Sequence, residues 1–224
     1  MGTQKTEQTF DTEQTPSIAS ENGRGTFEDR LNGILEAATR VMARQGYEGA
    51  SMRAVAKEAG VSLAGLYHYF DSKERMLFLI QFRAFSSLVS SLRERLLGVT
   101  DPEEQIRIMI RSHVMYFSSN MPALKVCSHE LDLLTGEGFT QVRILRHEYY
   151  DMVRKMVDGI LDQTRNPAGL DHHVATMSLF GMLNWLYRWY SPAEDRSPTG
   201  LANILASQFL GGLAVRTETV DEAR

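Results

Sequence analysis

The chain has 224 residues, 43% of them hydrophobic and 23% charged, with a formal net charge of −4 and a single cysteine. That length and apolar content suffice to bury a substantial core, as one two-part unit or as two domains. No apolar run approaches a membrane span, the lone Cys127 excludes an intrachain disulfide and fits a reducing cytoplasm, and the acidic balance argues at first sight against a nucleic-acid binder.

Residues 1–26 are polar, rich in Thr, Gln and Glu, and lack the apolar stretch of a secretory signal, so a disordered tail is expected there. Ile34, Leu35, Ala38, Val41 and Met42 recur at helical spacing and give a first helix its buried stripe, which Gly46 ends. Ser51 is an expected N-cap for a short helix with Ala54, Val55 and Ala59 on one face. Gly60 stands where a helix end needs a left-handed residue, and Val61 plugs the turn. Ser62 caps a second short helix that sends Leu66, Tyr69 and Phe70 inward and Leu63, Ala64, Gly65, Tyr67 and His68 outward. Two such helices joined through a glycine turn make a helix-turn-helix, whose second helix enters a DNA major groove.

Ser72 caps the next helix, which carries Met76, Leu77, Ile80, Phe85, Leu88, Leu92 and Leu96 towards Gly98. Such a length links the head to the rest of the chain and can act as a lever. Asp101-Pro102-Glu103-Glu104 opens another helix that continues through Ile106, Met109, Ile110, Val114 and Phe117 towards Asn120. Met121-Pro122 restarts a short helix expected to reach Leu133 or Leu134. Gly136-Glu137-Gly138 breaks or kinks the pattern before a helix over residues 139–163, with Val142, Leu145, Tyr149, Met152, Val153, Met156 and Ile160 on its apolar side. Asn166-Pro167-Ala168-Gly169 is a loop. Asp171 begins an apolar helix to Tyr190, stopped by Ser191-Pro192, and a last helix runs over residues 197–215. Nothing alternates with period two, so the fold class is all-α.

The block from Ser51 to Lys73 resembles the DNA-binding domain of TetR-family transcriptional repressors. The matching residues are Ala37-Ala38, Met42 and Gly46-Tyr47, then Ser51, Val55-Ala56 and Ala59-Gly60-Val61-Ser62, and finally Leu66-Tyr67-His68-Tyr69-Phe70 with Lys73-Glu74. The family's usual order places its histidine next to the phenylalanine; here His68 and Tyr69 are exchanged, which bears on the role of His68. The resemblance implies a three-helix head over residues 27–80 and a larger helical ligand-binding and dimerisation domain over residues 81–216, with a flexible C-terminus at 217–224. It implies that Ser51, Arg53, Tyr67 and Lys73 touch phosphate, that Leu63, Ala64 and Gly65 face base edges, and that Ser62 and His68 complete the interface. A plainer reading has Tyr67 and His68 only finishing a small core. Residues 27–80 carry seven basic and seven acidic side chains, so the head is neutral. Arg53, Lys73, Arg24 and Arg30 are the cations available to its DNA face, with Glu36, Glu48 and Glu58 pointing away. A modest salt dependence is expected.

His129-Glu130-Leu131, Arg143, Arg146, Gly181-Met182-Leu183-Asn184-Trp185 and Arg188-Trp189-Tyr190-Ser191-Pro192 resemble the branch of that family controlling fatty-acid, aromatic-acid or steroid breakdown. That likeness implies release from DNA by acyl-CoA thioesters. An apolar slot could be built from Met115, Phe117, Leu133, Phe139, Tyr149, Met152, Met177, Phe180, Leu183 and Trp185, with Arg143, Arg146 and Arg188 for the phosphates. Met and aromatic stripes at helical spacing are also what an ordinary core contains. No metal or cofactor is expected. His129-Glu130 has no histidine at the following fourth position, and the adjacent His172 and His173 face different sides of a helix. Glu130 is expected to pair with an arginine such as Arg146, and Cys127, with no basic neighbour in view, to be a buried inert thiol.

The sequence thus reads as a homodimeric repressor, paired through helices 171–190 and 197–215. Its two heads would meet successive major grooves of a palindromic double-stranded operator about 34 Å apart. A small apolar effector, such as an acyl-CoA, would release it. The alternative is a helical ligand-binding or protein-interaction module that no longer reads DNA. An enzyme is the least favoured reading, since no phosphate loop or nucleophile elbow is present.

Overall fold

The computed structural model describes residues 19–130, 133–164 and 169–214, with side chains from residue 27 onward. These residues form ten helices: α1 (Ala19–Gly49), α2 (Met52–Ala59), α3 (Leu63–Tyr69), α4 (Lys73–Arg95), α5 (Pro102–Ser118), α6 (Met121–His129), α7 (Gly136–Gln163), α8 (His172–Asn184), α9 (Leu186–Trp189) and α10 (Pro198–Leu213). The described residues contain no strand, and none of their helices is long and apolar enough to cross a membrane.

Local chemistry accounts for most of the helix ends. Ser51, Ser62, Ser72, Asp101, Asp171 and Ser197 each accept a hydrogen bond from the amide three residues on, satisfying one of the free donors of a first turn. Gly60 takes the left-handed conformation at φ 66°, and its amide bonds back to the carbonyls of Ala56 and Lys57. Gly46 is non-helical at φ 73°, so regular winding in α1 stops there although turns continue to Gly49.

Several boundaries differ from the sequence reading. The first helix starts at Ala19, inside the stretch expected to be a tail. Helix α6 ends at His129, short of Leu133 or Leu134. Helix α7 begins at Gly136, so the glycines there open it; a Cβ on Gly138 would stand 3.1 Å from the Phe78 ring, and glycine lets α7 approach α4 closely. The expected single helix over 171–190 is interrupted at Trp185, giving α8 and α9. Asn166, Pro167 and Ala168 of the expected loop lie outside the described residues, as do Val215 and the expected flexible C-terminus.

Two apolar clusters hold the helices together. One fills the region bounded by α1 to α4, around Ile34, Met42, Val55, Leu66, Phe70 and Met76, and it takes in Val126 of α6 and Val142 of α7. The other lies among α4, α5, α7, α8 and α10, around Leu92, Ile106, Met109, Phe117, Val153, Leu179 and Phe209. The head is therefore packed against α6 and α7, and a domain boundary at residue 80 is crossed by a shared core. Moving α6 would therefore disturb the head's own packing.

Candidate nucleic-acid interface and effector cavity

Helix α3 is anchored by its buried residues and displays the rest. Leu66 and Phe70 are at most 2% exposed, while Tyr67 is 52% exposed and Ser62, Ala64 and His68 are also on the surface. Leu63 and Gly65 are half-buried. Tyr69 turns inward and stacks on Phe27, ring centroids 5.0 Å apart. Exchange of His68 and Tyr69 thus puts a tyrosine in the supporting position and leaves the histidine outside. The Ser51 and Ser62 oxygens are used as acceptors by Ala54 and Gly65 amides, which leaves each hydroxyl hydrogen free to donate, as a phosphate requires.

The charges of the head divide into engaged and displayed sets. Glu58 pairs with Arg44 (2.6 Å) and Arg40 (2.9 Å), tying α2 to α1. The Arg44 and then the Arg40 hydrogen bonds hold its carboxyl down at about 2, so it is ionised throughout the physiological range. Glu36 and Glu48 are exposed. Arg30 and Arg53 are exposed, whereas Arg24 lies outside the described side chains. Lys73 is half-buried. Its ammonium donates to the Tyr47 carbonyl at 2.7 Å and lies 4.1 Å from the centre of the Tyr47 ring. It therefore joins the start of α4 to the end of α1, with its remaining hydrogens available for a phosphate.

Helix α6 grips the break in α1. In a continuous helix the Tyr47 amide would bond the Ala43 carbonyl, and the turn at Gly46 separates them. Lys125 Nζ donates to the Ala43 carbonyl at 2.6 Å, and Glu130 Oε1 accepts from the Tyr47 amide at 3.2 Å. The Glu130 carbonyl in turn accepts from Gln81 Nε2 of α4 at 3.0 Å. Glu130 is thus bonded to α1 and not to Arg146, which instead donates to the Cys127 carbonyl at 2.7 Å and lies over the Phe85 ring. Arg146 is a basic neighbour of Cys127 after all. Burial outweighs it and pushes the thiol up to about 12, so the group stays protonated.

The opposite side of α6 walls a cavity of about 260 Å³ between α4, α5, α7 and α8. Of the residues expected to form an apolar slot it brings together Phe117, Tyr149, Met177 and Phe180, and of the cations expected for the phosphates Arg143 and Arg146. Leu133 and Phe139 belong to the head's cluster, Met152 and Leu183 pack in the second core, and Met115, Trp185 and Arg188 face solvent. Sequence reasoning did not select Phe85, His113, Leu124, Cys127, Ser128, His147, Tyr150 and Asn184, which also line it. His113 was legible: it stands four residues after Met109 and four before Phe117, on the buried stripe of α5.

His113 is 2% exposed, its Nδ1 lies 3.2 Å from the Tyr149 hydroxyl, and its Nε2 has no hydrogen-bond partner. Burial depresses its basicity to about 3, so the imidazole is neutral, and burial raises Tyr149 so that its proton stays on. His172 bonds Asp158 (2.7 Å) and His173 bonds Tyr150 (2.6 Å), so the adjacent pair does separate to different partners. No group of side chains suited to a metal ion occurs among the described residues.

Comparison with known proteins fits this geometry. Residues 34–80 match the family described as bacterial regulatory proteins, tetR family, and residues 99–213 match the tetracyclin repressor-like, C-terminal domain. The HTH-type transcriptional repressor KstR of Mycolicibacterium smegmatis is 32% identical over 190 residues, spanning 82% of this chain and 89% of that one. The fatty acid metabolism regulator protein of Bacillus subtilis is 22% identical over 189 residues, spanning 80% and 93%. Among solved structures, AibR in complex with isovaleryl coenzyme A and operator DNA aligns with a TM-score of 0.69 at 26% identity, covering 80% of this chain and 97% of that one. These relatives are regulators of transcription rather than enzymes. With a displayed helix-turn-helix at one end and a matching C-terminal domain over half its length, the chain belongs to the TetR family of bacterial transcriptional regulators.

Proposed function

We propose that this protein is a cytoplasmic, ligand-responsive repressor that binds a palindromic operator as a homodimer and is released by a small apolar effector of the acyl-CoA type. The observation that carries the reading is the double role of α6. Leu124, Cys127 and Ser128 face the cavity, while Lys125 and Glu130 hold the end of α1, the helix on which the reading pair is packed. A ligand that binds better when α6 is displaced favours the conformation in which α1 and its head have moved, and it can do so only by that difference in affinity. The relatives bear on the effector class: AibR is seen with isovaleryl coenzyme A and operator DNA, and the Bacillus subtilis relative is a fatty acid metabolism regulator.

Pairing is supported by the apolar residues that α8 and α10 leave in solvent, with Val174 60% and Ile204 36% exposed. Two such faces apposed about a two-fold axis give a four-helix bundle, as an isologous interface requires. The test is a gel shift on the DNA upstream of the protein's own gene, repeated with isovaleryl-CoA. A specific shift abolished by the thioester is expected. No specific shift would leave the chain as a helical ligand-binding module that does not read DNA.

A further inference from the structure

We infer that His113, oriented by Tyr149, is the donor that recognises an uncharged carbonyl oxygen on a short acyl ligand in the α5–α6–α7–α8 cavity; this rests on reading that cavity as the effector site. The imidazole has one proton to place. If Nδ1 carried it and donated to Tyr149, the tyrosine hydrogen would have no acceptor and the Nε2 lone pair would also be unused. If Tyr149 donates to Nδ1, one hydrogen alone is left over, that of Nε2. The second arrangement makes the same single bond with fewer hydrogens and ring lone pairs unused, and it makes Nε2 a donor.

A buried donor without a partner costs free energy that a ligand oxygen would restore. Phe117 and Tyr149 hold the ring in place, with centroids 4.8 and 6.1 Å away. Because the imidazole is neutral, it offers a hydrogen bond and no charge. The ring by itself suits an uncharged carbonyl better than a carboxylate, whose charge would have to be met by Arg143 or Arg146 of the same lining.

The cavity's size limits what surrounds that oxygen. About 260 Å³ lies just below the roughly 300–1,000 Å³ typical of small-molecule pockets. That suits a branched short chain or a single ring better than a long straight chain lying wholly inside. The rest of a thioester has an exit: a surface groove lined by Arg143, Ile144, His147, Glu148 and Asp151 shares Arg143 and His147 with the cavity. The groove mixes both signs of charge, so affinity and selectivity are assigned chiefly to the acyl end.

The experiment titrates the full-length protein calorimetrically with isovaleryl-CoA and with 3-methylbutyl-CoA, the thioether that lacks the carbonyl oxygen. The same pair is repeated on N-acetylcysteamine in place of CoA, with free isovalerate as the charged control. The wild-type protein should prefer thioester to thioether by about tenfold or more. H113L/Y149F, which removes donor and partner together, should fold and lose that preference. Should the variant not fold, the wild-type preference still decides: equal binding of thioester and thioether overturns the assignment while leaving the effector reading intact. A preference undiminished in the folded variant also overturns it. Tighter binding of free isovalerate than of the short thioester would overturn the uncharged-carbonyl assignment. Binding of the short thioester with the expected preference, without binding of isovaleryl-CoA, would uphold His113 and remove the CoA reading. No binding of any probe would overturn both.

Discussion

Replacing Glu130 by Ala leaves the Tyr47 amide, at the Gly46 break, without its 3.2 Å acceptor. Replacing Lys125 by Ala removes the 2.6 Å bond to the Ala43 carbonyl from the other end of the same interruption. Both sites are half-buried, so solvent screens the charges and the losses fall below the roughly 1.5–3 kcal/mol of hydrogen bonds to buried charged groups, at about 1 kcal/mol each. The pair together should lower unfolding stability by about 2 kcal/mol. If α6 transmits cavity occupancy to the head through these bonds, the same free energy is withdrawn from the coupling, about 30-fold in the ratio of operator affinities without and with effector. Urea denaturation gives the first quantity, and anisotropy of a labelled operator, titrated with and without isovaleryl-CoA, gives the second. A double variant that is less stable yet keeps the wild-type affinity ratio would refute the transmission and leave Lys125 and Glu130 as structural supports.

Other expectations concern the head and the pairing surface. Arg53→Ala removes an exposed cation and should weaken operator binding uniformly across sequences, reducing the slope of log affinity against log salt by about 0.9; Tyr67→Phe should cost roughly threefold to tenfold with little change in slope. Glu58→Gln tests the ion pairs across α1 and α2. Because the native carboxyl titrates near 2 and the ordinary one near 4.5, its stabilisation is full above about 4.5 and is lost as pH falls towards 2; the variant should be less stable at neutral pH and show a flatter acid limb in thermal melts. Val174→Glu places a charge on an exposed apolar face and should give monomers by native mass spectrometry, with subunit stability nearly unchanged. A persistent dimer would contradict the proposed pairing.

What could be read from the sequence is what local chemistry decides. A serine or aspartate N-cap acts on the amide three residues away, and Gly60 acts on its own φ, so both are visible in a few letters. Burial of Leu66 and Phe70 with display of Tyr67 and His68 likewise follows from helical periodicity. The partners of Glu130 and Lys125 stand 83 and 82 residues away, and no spacing rule reaches them. Charge alone suggests a Glu130–Arg146 pair, but the Tyr47 amide exposed by the glycine break competes for the carboxylate and holds it. The interruption at Trp185 lies within an apolar run with neither glycine nor proline at the break, so nothing local marks it. For the cavity, the aromatic and methionine stripes were visible, but which of them faced a void depended on how α5, α7 and α8 meet around α6.

The central claim is that occupancy of the cavity and grip on the operator are one equilibrium. It is tested most directly by measuring the coupling from both sides: operator affinity with and without isovaleryl-CoA, and isovaleryl-CoA affinity with and without operator. The two ratios should be equal and exceed about fivefold, as linkage between two sites demands. Thioester binding that is indifferent to the presence of operator would contradict the account.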